Sequence, residues 1–242
     1  MQLPAPLLPA VFRERLNRFT AAVELPGGVP TLAHVPNSGR LTGCAVPGAR
    51  CWLAPAGGRG RRLPYRLELM EAPGGALVGV NTQRSNGLAL EALDSGLLGL
   101  PRLARPYVAQ RERSPGPGLR IDLLLTDEEG PYWVEVKNIT LVEEGVGLFP
   151  DAVTARGRRH LERLAEIARE GGRAAVVYVV QRDDARAVRA AAEVDPGYAA
   201  AAERAARSGV AFAAIAVQVR LDALVPRAAI PVLVPPSGRM EG

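Results

Sequence analysis

The sequence predicts a mixed α/β (α+β) protein in two parts, a small β-barrel over residues 1–83 and a larger α/β domain over residues 84–242. Two observations predict this division. Residues before about 83 form short apolar segments separated by turns rich in Gly and Pro. Longer segments with helical periodicity begin only after that point. The chain is long enough for each part to bury a core.

The first part contains five candidate strands, at residues 19–25, 31–35, 49–53, 63–71 and 77–81. Turn residues such as Pro26-Gly27-Gly28 and Pro73-Gly74-Gly75 separate them. Five short strands favour a closed barrel of the OB type, because closure leaves no exposed sheet edge. The loop over residues 57–62 is expected to project from this barrel.

The second part alternates helices and strands. The predicted elements, in order, are a helix that contains residues 88–93, strands over 119–125 and 132–139, a helix over 152–170, a strand over 174–180, a helix that begins at Asp195-Pro196, and a strand over 210–219. Gly171-Gly172 ends the long helix, and Asp195-Pro196 has the cap and first-turn residues typical of a helix start. The apolar run 174–180 is typical of a strand covered on both faces.

The net charge of +5 is concentrated in the first third of the chain. Residues 1–80 carry nine arginines and four glutamates, whereas the charges of the remainder balance. A polyanion such as DNA is the partner that this distribution favours. The alternative is a small arginine-rich module with no such partner.

The targeting signals and the cysteine content of the sequence favour a location inside the cell. The N-terminus lacks the basic start of a secretion signal, and the longest apolar stretch, residues 210–217, is too short to cross a bilayer. Two cysteines without repeated ligand spacing suggest neither a disulfide framework nor a zinc site. We therefore expect a cytoplasmic protein without a membrane partner.

A candidate site lies on the two strands over 119–125 and 132–139. Alternation puts Glu135 and Lys137 on one face, and a hairpin in which Leu125 faces Tyr132 puts Asp122 opposite Glu135, with Cβ atoms about 5 Å apart. Two such carboxylates repel each other unless a cation lies between them. Hard oxygen ligands suit Mg²⁺ or Mn²⁺, which can activate water for displacement at phosphorus.

Lys137 is the only lysine among thirty basic residues. Its position suggests a need for a compact ammonium, which could orient the attacking water and offset charge on the phosphorus centre. The alternative is an ordinary solvated Glu–Lys pair on a half-exposed strand.

The Asp-x(n)-Glu-x-Lys pattern of Asp122, Glu135 and Lys137 resembles that of the PD-(D/E)XK nucleases, although Ile121 stands where those enzymes have proline. The resemblance implies a nuclease-like α/β domain. These nucleases often add an acidic residue from the preceding helix. Glu91 is the first candidate for this third ligand, and Glu112 is the second.

Several strings, in order along the chain, are similar to the sugar fermentation stimulation protein A family. They are Arg18-Phe19, residues 34–41, Asn86 with Glu91-Ala92-Leu93, Arg120-Ile121-Asp122, residues 135–141, Phe149-Pro150-Asp151-Ala152, Arg156-Gly157, His160-Leu161 and Asp195-Pro196. The resemblance implies an N-terminal OB-type barrel, a PD-(D/E)XK-type C-terminal domain, DNA binding and a regulatory role in sugar use.

The candidate DNA contacts are basic or polar residues near turns and helix starts, namely Asn37, Arg40, Arg59, Arg61, Arg62 and Arg156. Residues 36–39 are also good turn chemistry, so the contact is favoured for Arg40. His160, four residues after Arg156, is interpreted as a hydrogen-bonded packing residue or as a neighbour of the scissile phosphate.

Two main functions remain open, a metal-dependent DNA nuclease and a non-catalytic DNA-binding regulator built on a nuclease-like fold. The intact Asp, Glu and Lys favour the first, because carboxylates beside a phosphate backbone weaken binding unless a metal is present. A small-molecule α/β enzyme is disfavoured, since no glycine-rich phosphate loop occurs. The oligomeric state is left open, a homodimer included.

Overall fold

A computed structural model describes residues 1–56, 62–116 and 119–233. The N-terminal strands are β1 (Leu8–Asn17), β2 (Thr20–Leu25), β3 (Val29–His34), β4 (Arg50–Pro55), β5 (Tyr65–Glu71) and β6 (Leu77–Gly79). They form one sheet in the order β3-β2-β1-β4-β5-β6. A parallel pairing between β3 and β5 closes the first five strands into a barrel. The predicted OB-type barrel is confirmed.

The prediction missed β1. This strand carries consecutive charged residues, Arg13-Glu14-Arg15, and its pairing with β2 shifts register after Phe12 and again after Arg15. Such irregularities interrupt the alternation of apolar and polar residues by which a strand is recognised.

The second part follows as α1 (Ser85–Asp94), β7 (Val108–Arg113), β8 (Ile121–Asp127), β9 (Gly130–Ile139), β10 (Leu141–Glu143), β11 (Val146–Phe149), α2 (Ala155–Arg169), β12 (Arg173–Val180), β13 (Ala187–Ala190), α3 (Pro196–Arg207), β14 (Ala211–Val219), β15 (Leu224–Ile230) and β16 (Val232–Leu233). A 3-10 turn, Thr82–Arg84, precedes α1. The larger sheet has the order β15-β14-β12-β9-β8-β7, and a smaller one has the order β10-β11-β13-β16.

The larger sheet has an apolar core on each face. Helices α2 and α3 cover one face, where Leu161 and Leu164 pack with Tyr178 and Tyr198. Helix α1 covers the other face with residues of the barrel, such as Trp52. The central strands β9, β12 and β14 are parallel, and β12 is buried along its whole length, as expected of a strand covered on both sides.

Two predictions about the second part are corrected. The loop between β8 and β9 was expected over residues 126–131, but Asp127 pairs with Gly130, so Glu128-Glu129 forms a two-residue turn. The edge strand β7 was not predicted, because all six of its residues are exposed and three are charged, a composition typical of protected sheet edges.

The two parts are joined by polar contacts as well as by the shared core. The buried carboxylate of Glu68 on β5 bonds to Arg66 Nε at 2.5 Å, Arg84 Nε at 2.8 Å and Asn81 Nδ2 at 3.1 Å. The first residues of the chain lie against the second part, where Leu3 N donates to Asp222 O at 2.8 Å. In the described part of the chain, no helix has the length and apolarity needed to cross a membrane.

Candidate functional site

A cavity of about 490 Å³ lies between the barrel and the α/β domain. Strands β8 and β9 contribute Asp122, Glu135 and Lys137 to its lining, and β7 contributes Glu112. Arg18 and Asn37 line it from the barrel, and Arg156 lines it from α2. The three residues predicted from the Asp-x(n)-Glu-x-Lys pattern therefore share one cavity, which we call the carboxylate cavity.

The predicted register of β8 against β9 is confirmed, since Leu125 pairs with Tyr132 and Leu123 with Val134. The paired ladder ends there, one residue before Asp122 would pair with Glu135. Instead, Oδ2 of Asp122 accepts a hydrogen bond from the backbone N–H of Val136 at 2.9 Å. The carboxylate thereby replaces the next rung of the ladder and is held beside Glu135.

Glu135 is 2% exposed, and two cationic or polar donors hold one of its oxygens. Lys137 Nζ donates to Oε1 at 2.5 Å, and Nδ1 of His160 on α2 contacts the same oxygen. The second oxygen, Oε2, is buried and has no hydrogen-bond partner among the described residues. Because an unpaired buried carboxylate oxygen is costly, this atom indicates a place for a bound group.

His160 links Glu135 to Arg156. Arg156 Nε donates to His160 Nε2 at 3.3 Å. Since a guanidinium can only donate, Nε2 acts as the acceptor, which assigns the ring proton to Nδ1 on the side of Glu135. The interpretation of His160 as a hydrogen-bonded residue agrees with this placement, and the contact brings it directly to the site.

The two carboxyl groups have different electrostatic environments. Burial and the neighbouring charge of Glu135 raise the pKa of Asp122 to about 6, although the Val136 N–H and Lys137 oppose the shift. Burial also acts to raise the pKa of Glu135, but Lys137 and His160 outweigh it and hold that pKa below its ordinary value. Glu135 is therefore the ionised member of the pair, and Asp122 is the one that resists ionisation without a further cation.

The donor set fits a hard divalent cation that retains water. Asp122 is held through Oδ2 and Glu135 through Oε1, so Oε2 is the oxygen of Glu135 that has no hydrogen-bond partner among the described residues. Among the described residues, no three His, Cys, Asp or Glu side chains converge as a complete metal cage. Two carboxylates are the usual protein contribution to a Mg²⁺ site, which also retains waters and takes up phosphate oxygens.

Comparison with known proteins identifies the family of the chain. Residues 14–80 match the sugar fermentation stimulation protein N-terminal OB domain, and residues 83–223 match the sugar fermentation stimulation protein RE domain. The chain belongs to the sugar fermentation stimulation protein family. The resemblance stated from the sequence is thereby confirmed.

Family members align with the chain over almost its whole length. A sugar fermentation stimulation protein homolog from Halorhodospira halophila is 46% identical over 237 residues, which cover 96% of this chain and 98% of that protein. The homolog from Citrifermentans bemidjiense is 43% identical over 233 residues, which cover 96% and 100%. The solved structure of Pyrococcus furiosus SfsA in complex with Ca²⁺ is 27% identical, with a TM-score of 0.84 over 96% of this chain and 98% of that one.

The prediction of Glu91 as the third metal ligand is corrected by the structure. Glu91 does not line the carboxylate cavity, and its carboxylate pairs with the amino group of Met1 at 3.0 Å. The helix that carries it packs on the opposite face of the sheet from α2. Glu112, the second candidate, lines the cavity and contributes to the raised pKa of Asp122.

The candidate DNA contacts occupy different places. Asn37 is buried, and its side chain donates to Val80 O at 3.1 Å and accepts from Gly39 N at 2.7 Å, which agrees with the turn role considered for residues 36–39. Arg40 is exposed and lies outside the cavity lining, and Arg62 is exposed on the barrel. Arg59 and Arg61 lie outside the described residues.

Two features of the site were missed by the sequence reasoning. The first is the contact of His160 with Glu135, which depends on how α2 packs against β9. The second is the position of Asp151. Thr154 caps α2, and Asp151 accepts a hydrogen bond from Leu41 N at 3.0 Å. Asp151 thereby fastens the barrel loop to the rim of the carboxylate cavity.

Proposed function

We propose that this protein is a divalent-metal-dependent nuclease that hydrolyses phosphodiester bonds of DNA. Asp122 and Glu135 are the carboxylates that would hold Mg²⁺ or Mn²⁺, and Lys137 is the ammonium beside them. The observation that carries the proposal is Oε2 of the buried Glu135, which has no hydrogen-bond partner in the described part of the chain and lies on the neighbour of an Asp122 whose carboxyl group resists ionisation.

The surrounding residues orient the two carboxylates. The Val136 N–H fixes Asp122, while Lys137 and His160 hold Glu135 through Oε1. Such supporting contacts restrict ligand orientation and are typical of metal sites. A bound divalent cation would supply charge neutralisation and a lowered pKa for water at the phosphate. Ca²⁺ is present in the Pyrococcus furiosus relative, which supports a divalent cation in this family.

Lys137 has a second role beyond holding Glu135. Its side chain is only slightly exposed, and its ammonium lies 5.9 Å from the ring centroid of Phe149. These neighbours restrict a flexible side chain and leave a compact positive charge facing the cavity. Such a charge offsets the negative charge that develops on phosphate oxygens during displacement.

DNA is the polymer that the charge distribution favours. The net charge of +5 resides in residues 1–80, and the barrel supplies Arg18 to the wall of the carboxylate cavity. A polyanion drawn to the barrel would therefore reach a cavity that contains the candidate catalytic residues. DNA contacts remain proposed for Arg40, Asn37 and Arg156, and for the loop residues Arg59, Arg61 and Arg62.

The first test is cleavage of single-stranded, duplex and branched DNA by the purified full chain with Mg²⁺, Mn²⁺, Ca²⁺ or EDTA. We expect cleavage with Mg²⁺ or Mn²⁺ and none with EDTA. Lys137→Ala should abolish cleavage while DNA binding survives, and the matched surface variant Arg227→Ala should cleave like the parent. DNA binding without cleavage under every metal condition would reject the nuclease and favour a non-catalytic regulator.

A second test measures metal binding itself, by calorimetric titration of Mn²⁺ into the protein. Glu135→Gln keeps the shape of the side chain but removes its charge, so we expect affinity to fall by about tenfold or more. Glu203→Gln, which removes a partly exposed carboxylate on α3, is the control and should leave the titration unchanged. Equal affinity in the parent and in Glu135→Gln would remove Glu135 from the site.

A further inference from the structure

A second pocket of about 440 Å³ adjoins the carboxylate cavity, and we call it the arginine pocket. Its lining consists of Ser114, Leu119, Arg120, Arg156, Arg159 and His160. Arg156 lines both pockets, so the two pockets are neighbours that share this residue. We propose that the arginine pocket binds a phosphate group of the nucleic acid strand next to the one held in the carboxylate cavity.

The arginine pocket has an excess of positive charge. Three arginines line it, and its lining in the described ranges includes no acidic residue. In the part of the chain that the structure describes, no carboxylate lies within 4 Å of the guanidinium groups of Arg120, Arg156 or Arg159. Their neighbours on the same helix differ, since Arg163 pairs with Glu166 at 2.9 Å and Arg158 approaches Asp195 at 3.9 Å.

Such a cluster is unfavourable unless an anion occupies it. Arg156 and Arg159 are three residues apart on α2, so their side chains are neighbours on the helix surface, where like charges repel. The approach of Arg120 adds a third positive charge. A phosphate relieves this repulsion, and its oxygens match the planar fork of the guanidinium group.

The fold connects the arginine pocket directly to the candidate catalytic residues. Arg120 precedes Asp122 by two residues, so their Cα atoms are about 6–7 Å apart in extended chain. Arg159 is adjacent to His160, which contacts Glu135. A strand whose phosphate lies in the carboxylate cavity would therefore place a neighbouring phosphate within reach of these arginines.

The walls of the arginine pocket are held in place by hydrogen bonds. Arg163 Nη2 donates to Pro115 O at 2.8 Å, and Ser114 Oγ donates to Leu119 O at 2.7 Å. The first bond joins α2 to the segment that leads into β8, and the second lies within that segment. The three lining arginines, by contrast, are exposed, and among them only Arg156 forms a side-chain hydrogen bond to a described residue.

The test is the double variant Arg120→Ala with Arg159→Ala, in binding measurements on a short fluorescent oligonucleotide. The titrations are performed in EDTA and in Ca²⁺, over a series of salt concentrations. We expect affinity to fall by about tenfold or more, and the slope of log affinity against log salt to become shallower by about 1–2, because each lost phosphate contact removes about 0.7–0.9 from that slope. Arg227→Ala, which removes one exposed arginine from β15, should change neither quantity.

Oligonucleotides with and without a terminal phosphate distinguish the two sources of the group. Loss of affinity confined to the phosphorylated one assigns the pocket to a strand end, and equal loss with both assigns it to an internal phosphodiester. Affinity and salt slope equal to those of Arg227→Ala would overturn the proposal.

The proposal rests on the proposed function only for the identity of the polymer. The two can therefore fail separately. A chain that binds DNA through Arg120 and Arg159 but cleaves none would retain the arginine pocket and lose the nuclease. DNA cleavage, together with an unchanged salt slope in the double variant, would retain the nuclease and reject the arginine pocket.

Discussion

Asp122 accepts the backbone N–H of Val136 at 2.9 Å, at the point where the β8–β9 ladder ends. The orientation of the Asp122 side chain therefore depends on the pairing of the two strands. Its carboxylate accepts a hydrogen bond that a backbone carbonyl would otherwise accept. This bond also brings Asp122 next to Glu135, and the resulting repulsion raises the pKa of Asp122. The structure thus places an unfavourable charge where a divalent cation would relieve it.

Asp122→Asn should stabilise the metal-free protein. The raised pKa means that the folded state binds a proton more tightly than the unfolded state, so stability falls as pH rises from 3.8 to about 6. Asn removes that cost and keeps an oxygen for the Val136 N–H. Well above pH 6 in EDTA, we expect the free energy of unfolding to rise by about 1–3 kcal/mol, as measured by urea denaturation. A variant less stable than the parent would contradict this account.

His160→Ala should weaken Mn²⁺ binding by about tenfold, because Oε1 of Glu135 loses one of the groups that orient it. Calorimetric titration measures the change. His160→Gln, whose amide can still donate, should recover part of the affinity, whereas Arg156→Ala leaves the Nδ1 contact in place and should have a smaller effect. A purely structural His160 would lower stability in both His160 variants without a difference in metal affinity.

Glu68→Ala should destabilise the junction between the barrel and the α/β domain by about 3 kcal/mol, because it leaves Arg66 and Arg84 without their shared carboxylate. Thermal or urea unfolding measures the loss. Glu203→Gln, which breaks an exposed pair on α3, is the control and should cost about 0.5 kcal/mol or less. Similar losses in the two variants would show that the junction does not depend on Glu68.

Glu68 should also make the stability of the protein depend on pH. Burial alone would raise the pKa of Glu68, but the bonds from Arg84, Arg66 and Asn81 outweigh it and lower that pKa. The stability that Glu68 contributes is therefore present above its unfolded pKa, about 4.5, and is lost as pH falls through the lower folded value. Glu68→Gln should lack this acid-dependent loss in urea titrations across that range. An unchanged pH profile in Glu68→Gln would assign the loss to other carboxylates.

Gly39→Ala should destabilise the barrel loop at the rim of the carboxylate cavity. An added Cβ would lie 2.8 Å from both carboxylate oxygens of Asp151, and Leu41 N holds one of them, Oδ2. We expect a loss of about 1–3 kcal/mol. Combining it with Asp151→Ala should cost less than the two single losses together, since the second change removes the clash. Strict additivity in the unfolding free energies would contradict this contact.

Local patterns were sufficient to predict several elements and part of the site. The barrel follows from short strands separated by turns, and the buried β12 follows from its apolar, β-branched run. The register of β8 against β9 was predicted because a hairpin constrains which residues face each other. The predictions were poorest for β1 and β7, where bulges or full exposure remove the alternation from which a strand is recognised.

Local sequence patterns were enough to predict that Asp122, Glu135 and Lys137 lie together, because alternation along one strand and the register of one hairpin are local properties. Packing between distant elements brings His160 to Glu135, lines the cavity with Glu112 rather than Glu91, and makes the barrel its other wall. Those relationships join residues distant along the chain. They depend on how α2 and the barrel pack on the sheet, and the period of a single element contains no information about the element that it will face.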